Sequence, residues 1–124
     1  MAVMQSRDNR TFVAGEDLSA AQFKFVTLEA DGQVYLADAA GENAIGVCIS
    51  GATAGKAVTV CVSGSVMVEA GGAITAGDQI QTGADGTALL AATGDVVLGY
   101  AREDGVDGQI IEIEMIQGGN VVPA

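Results

Sequence analysis

Carboxylates, two cysteines and scattered hydroxyls are the residues in this sequence that could do chemistry. There is no His anywhere in the 124 residues. That removes the commonest general base, the usual transition-metal ligand and the Ser-His-Asp triad together. Adjacent carboxylates could divide the work of acid and base. The pairs available are Glu16/Asp17, Glu103/Asp104 and Glu112/Glu114. The first two pairs lie in turn-like contexts, and the third alternates with Ile111 and Ile113, so all three read as solvated surface. Cys48 and Cys61 sit between aliphatic residues, the usual setting of a buried thiol. Without His partners they do not make a zinc site. The run Asp104-Gly105-Val106-Asp107-Gly108 has the flavour of a calcium loop. It lacks the regular acidic ligands and distal Glu of an EF-hand. Gly71-Gly72 and Gly77 precede no helix carrying a Lys, so a phosphate loop is not expected. Ser63-Gly64-Ser65 has no base to activate either serine. The expectation is a protein with no catalytic residue, no cofactor and no metal. It is not expected to be an enzyme.

Charge narrows the partners. Sixteen acidic residues stand against five basic ones, a formal net charge of -11. Nucleic-acid binding rests on basic residues that displace counterions from phosphates, and no basic patch can form here. An anionic membrane surface is disfavoured for the same reason. No stretch approaches the roughly 20 apolar residues of a membrane span. Residues 1–10 are polar, without the apolar centre of a signal peptide, which points to synthesis and retention in a cytoplasm. Strong like charge keeps copies apart until a specific contact forms.

The elements that would carry these residues are short strands. Apolar residues reach 49%, but the set is mostly Ala, Val and Ile, with Phe12, Phe23, Phe25, Tyr35 and Tyr100 as the aromatics. Eighteen glycines and one proline accompany them. Small and β-branched side chains between glycine turns favour an all-β fold. Alternation and turn signals place strands near residues 23–28, 33–37, 44–50, 56–63, 66–69, 79–82, 87–90, 96–101 and 109–115. Residues 1–11 read as an extended N-terminal arm bearing Arg7 and Arg10, and residues 12–124 as one β domain. The two cysteines would face each other across a hairpin centred on Ala54-Gly55, both reduced.

The chain also resembles itself. Ala14-Gly15 matches Ala70-Gly71, Ala30-Asp31-Gly32 matches Ala84-Asp85-Gly86, and Ile45-Gly46 matches Leu98-Gly99. Motif order is preserved while the offset drifts from 56 to 53 residues. Two copies, about 14–62 and 70–115, would pack into one small Gly-rich β-barrel or sandwich.

Residues 58–78, VTVCVSGSVMVEAGGAITAGD, continue into QIQTGADGTALL, and the chain closes on VVLGYAREDGVDGQIIEIEM. This pattern resembles the phage capsid cement, or head decoration, family. The resemblance spans about residues 14–115. It implies a small β-barrel-like protein on the outer surface of an assembled phage head, a virion component made in the host cytoplasm. It implies the major capsid protein as partner, self-association as a homotrimer, and stabilisation of the head against internal pressure. Arg7 and Arg10 would be candidate capsid contacts. The alternatives are a non-catalytic β-structured binding or fibre-like appendage module, which the absence of Trp disfavours as a sugar binder, and an enzyme fragment.

Overall fold

Runs of alternating β-branched and polar residues fold as strands here, and glycines with positive φ set the turns between them. The computed structural model describes residues 6–116. The strands are β1 (Ser6–Val13), β2 (Lys24–Leu28), β3 (Val34–Leu36), β4 (Gly46–Ser50) and β5 (Ala57–Glu69). They continue with β6 (Gln79–Thr82), β7 (Ala88–Leu90), β8 (Gly99–Ala101) and β9 (Ile110–Met115). Among the described residues there is no helix. One antiparallel sheet runs β3-β2-β4-β5-β9-β8-β6-β7, and β1 pairs with β5 off this path. The fold is all-β, and the sheet curls into a half-barrel rather than closing. The strands from β2 to β9, β5 apart, fall inside the ranges expected from alternation.

Strand order reads the same inward from both ends of the sheet. Val26 opposite Leu36 in β2–β3 answers Ile80 opposite Leu90 in β6–β7. Val47 opposite Cys61 in β4–β5 answers Tyr100 opposite Glu114 in β8–β9. Phe23, with φ 64 the one non-glycine in the left-handed region among the described residues, stands where the later half has Gly77 at φ 90. The likeness includes β1. Phe12 opposite Val58 answers Val68 opposite Ile111, so β1 holds the place in the first half that the end of β5 holds in the second. The described part of the expected arm is therefore a paired strand reaching Val13. Residues 1–5 of that arm, and residues 117–124 of the expected β domain, lie outside the described residues.

Two expectations change. The Ser63-Gly64-Ser65 run is no turn, and β5 is one thirteen-residue strand. Gly64, at φ 89, is an irregularity inside it, and the β1 register shifts on either side of the neighbouring Asp8–Ser63 pair. Facing switches across this point. Val58, Val60 and Val62 pack into a smaller core with Leu18, Val26, Val34 and Cys48. Cys61, Val66 and Val68 pack into a larger one with Phe25, Val47, Ile80, Leu98, Ile111 and Ile113. The second change concerns the cysteines. Cys48 lies opposite Val60 and Cys61 opposite Val47, one residue out of the expected register. A one-residue slip moves a side chain to the other face. The two thiols are therefore free, buried and in different cores.

The larger core is closed by a seam between the halves. Phe25 N–H donates to Gly86 O at 2.8 Å, Gly41 N–H to Thr82 O at 2.9 Å, and Val96 N–H to Gly41 O at 3.1 Å. Gly86 has φ +80, and a Cβ there would come within 2.7 Å of Leu36 Cδ1 and 3.1 Å of Phe25 O. Its counterpart Gly32, φ +78, has open space around it. Gly32→Ala is expected to cost only the left-handed strain, about 1 kcal/mol. Gly86→Ala adds the clash and is expected to cost about twice that or more. Urea midpoints of the two variants check this. Equal losses would show that the seam is not tightly packed.

Candidate docking surface

Carboxylates dominate the titratable groups, 16 against 5 basic side chains. Among the described residues, no group of three or more His, Cys, Asp or Glu could hold a metal ion. The carboxylates are instead tied to backbone. Asp31 Oδ1 accepts from Gln33 N–H at 2.9 Å and Asp85 Oδ1 from Thr87 N–H at 3.2 Å, each closing its turn. Asp104, of the calcium-like loop, accepts from Ala76 N–H at 2.8 Å. Glu16 Oε2 accepts from Leu36 N–H at 2.8 Å, covering the edge of β3. Glu103 Oε2 accepts from Glu112 N–H at 2.9 Å.

An open cleft of about 630 Å³ lies over the β2–β3 hairpin. Glu16, Glu29, Asp31, Asp38 and Glu42 line it around Tyr35. The Tyr35 hydroxyl donates to Asp31 Oδ2 at 2.7 Å. That bond lowers the Asp31 pKa and raises that of Tyr35. The later half puts Gly72, Gly83 and Ala92 where Glu16, Glu29 and Asp38 stand, so these three carboxylates belong to one half only, while Asp31 is matched by Asp85.

Glu112 was expected to face outward with Glu114, and it does not. It is 4% exposed, and Arg102 Nη1 bonds its Oε2 at 2.7 Å while lying 3.8 Å from Glu114 Oε1. Its cover, Arg102 and the Glu103 turn, comes from the preceding loop, which alternation along β9 alone does not register. Glu114 is exposed, with Tyr100 opposite it and Gln79 opposite Tyr100. Arg7 and Arg10 both lie on β1. Arg10 is exposed and sits opposite Val60, where the second half has Val66 opposite Ile113. The acidic cleft and the buried Glu112, paired with the exposed Arg102, are features that sequence reasoning missed.

The described residues form a doubled sheet with an acidic cleft over the β2–β3 hairpin. A family model described as phage cement protein matches residues 5–114, through all nine strands to the last turn of the ladder. The chain belongs to the phage cement protein family. Membership makes it a capsid-associated structural protein of the virion. Among solved structures, it is similar to the crystal structure of the head fiber gp8.5 N base in bacteriophage phi29. That likeness has a TM-score of 0.72 at 23% identity, over 91% of this chain and 97% of that one. No curated protein matches the chain.

Two expectations follow for the cement-family chain in solution. Burial raises the Cys48 thiol pKa above its ordinary value, and Cys61 is wholly buried. A thiol reagent is expected to label neither cysteine in the native protein and both in denaturant. Labelling of native protein at the rate seen in denaturant would refute this. The pKa values of Asp31 and Asp85 are lowered, chiefly by the side-chain bonds from Tyr35 and Thr87. A depressed folded-state pKa stabilises above the unfolded value, near 3.8, and that contribution disappears as pH falls through the folded value. Asp31→Asn with Asp85→Asn should therefore destabilise at neutral pH, and the difference should shrink as pH falls below 3.8 and through the lowered folded-state values. A gap that persists at low pH would assign the loss to something other than ionisation.

Proposed function

We propose that this chain binds the outer surface of an assembled phage head and stabilises the shell against the pressure of packaged DNA, without catalysis. The family match over residues 5–114 carries the reading. Surface chemistry supports it: the described residues present an acidic exterior and no metal cluster. The partner is the major capsid protein, and copies are expected to sit on the head as homotrimers, after synthesis in the host cytoplasm. Arg7 and Arg10 are proposed contacts, because they put two of the five cations on one strand of an otherwise acidic chain.

A protein that binds only the assembled shell stabilises it by mass action. Each site gains about RT ln(1 + [L]/Kd), roughly 2.7 kcal/mol when free protein is at 100 times its Kd. Modest affinity repeated over a whole lattice is then sufficient. The test compares bare heads, decorated heads and heads offered an Arg7→Glu/Arg10→Glu variant, under heating. Decorated heads should keep their DNA at temperatures where bare heads release it, and the variant should bind more weakly. Removing residues 1–10 is a poorer test, since it would strip β5 of a paired neighbour. Equal survival of bare and decorated heads would overturn the reading. Full binding by the folded variant would remove only the arginines from it.

A further inference from the structure

The seam that closes the larger core joins one face of the first half to one face of the second. Three of its backbone bonds run from Glu69 N–H to Phe23 O at 2.9 Å, from Phe25 N–H to Gly86 O at 2.8 Å, and from Gly41 N–H to Thr82 O at 2.9 Å. Because the halves share strand order and register, each of these groups has a counterpart in the other half. The counterpart pairs are Val13 N–H with Gly77 O, Gln79 N–H with Gly32 O, and Gly94 N–H with Leu28 O. No backbone bond at a turn or strand edge of the described residues uses any of these six groups. The space agrees with the bonding. A Cβ at Gly41 or Gly86 would strike Asp95 or Leu36 across the seam, whereas one at Gly32, Gly77 or Gly94 would meet nothing within 4 Å. Each half therefore presents, on its outer side, an open copy of the face that the other half uses in the seam.

A two-fold axis between the halves would bring both pairs of faces together within one chain. Only one pair meets, so the operation relating the halves is head-to-tail, and its next step needs another half. A second copy of this chain supplies one. Exposed hydrophobic side chains collect where that step falls. Five large ones are exposed among the described residues: Val13 and Leu28 on the open face of the first half, Leu90 and Tyr100 on that of the second, and Val106 in the loop before β9. The counterparts of the first four, Glu69, Thr82, Leu36 and Val47, all lie at the seam or in the core it closes.

We infer that copies of this chain join head to tail, the open face of one second half seated on the open face of the next first half, in a repeat of the intramolecular seam. The inference rests on the self-association in the proposed function and names the surfaces that perform it. A head-to-tail contact that closes makes a ring, and three copies would close six like halves. The contact is weaker than the seam it repeats. Phe25, Val47 and Cys61 are buried in the core there, while their counterparts are Gln79, Tyr100 and Glu114. At the seam, Lys24 also approaches the Asp85-Gly86 turn, its Cβ 3.2 Å from where a Cβ at Gly86 would stand. The counterparts of Lys24 and Asp85 are Asp78 and Asp31, two like charges. Joining copies of net charge -11 thus works against a repulsion that salt screens. Assembly is concentration-dependent and strengthened by salt.

The experiment follows self-association of purified full-length protein by sedimentation across concentration and salt, and by chemical cross-linking on decorated heads. Leu28→Glu blocks one face, Leu90→Glu the other, and Val106→Glu adds the same charge away from both. Each of the first two is expected to weaken association about tenfold relative to Val106→Glu, as for an interface anchor. Asp78→Asn keeps an oxygen for Thr75 N–H and removes a like charge, so it should tighten association at low salt. Mixing decides the geometry. Leu28→Glu retains an intact second-half face and Leu90→Glu an intact first-half face, so together they should form heterodimers that neither forms alone. Thermal melts confirm that each variant is folded. If Leu28→Glu and Leu90→Glu associate as Val106→Glu does, the faces are wrong while self-association stands. If the mixture stays dissociated, the contact is not head-to-tail and the inference fails. A wild type that is monomeric both in solution and on heads overturns self-association itself, and this contact with it, while head binding stands.

Discussion

The structure depends on one strand serving two halves. β5 gives its first part to the sheet of β2, β3 and β4, and its last part to β9. Each part must present valines to a core, yet the two cores lie on opposite sides of the strand. Strict alternation cannot do this, because even-numbered valines at 58, 60 and 62 and at 66 and 68 would all face one way. Gly64 resolves the conflict. It takes a φ of 89, and both Ser6 and Met115 take it as partner, so the β1 ladder ends where the β9 ladder begins along β5. A side chain at that φ would be strained.

From that pivot the rest follows. Val66 and Val68 turn into the interior with Ile111 and Ile113 beside them, and the second half acquires a core continuous with the first half's Phe25 and Val47. The smaller core needs no help from the second half, being built within residues 12–62. Stability is thus divided between a local core and a shared one. The shared one is held shut by backbone bonds at Phe25, Gly41 and Val96, so loss of its packing exposes both halves at once. Small side chains make each contact modest, as burial scales with apolar area. Continuity across eight strands compensates for what each residue lacks.

Much of this was legible in the sequence, for a physical reason. Period-two alternation and Gly turns are local signals, and β2, β3, β4, β6, β7, β8 and β9 all fall within ranges read from them. Two features are not local. The Ser63-Gly64-Ser65 run has turn composition, and only its partners Ser6 and Met115 make it a strand interior. β1 is Ser-Arg-Asp-Asn-Arg-Thr-Phe-Val, polar enough to read as an arm, because its neighbour β5 rather than its own pattern makes it a strand. The Cys48–Cys61 register failed by one residue for a related cause. A hairpin count assumes regular pairing, and the β4–β5 ladder shifts between Cys48 and Ser50. At the surface, the acidity of the exterior was plain from composition. The acidic cleft and the burial of Glu112 could not be announced, since each depends on loops brought over a strand from elsewhere in the chain.

The divergence between the halves separates what the fold requires from what the surface does. Backbone pairing, turn positions and the close packing of strands are shared, so they answer to folding. The carboxylates at Glu16, Glu29 and Asp38 and the exposed Tyr100 are each present in one half only, although both halves stand on the same scaffold. A position that its own counterpart fills with Gly72, Gly83 or Ala92 is not held acidic by the sheet. Nor does the sheet demand an aromatic at 100 when its counterpart is Val47. A doubled scaffold whose copies agree inside and differ outside offers two distinct faces from one design.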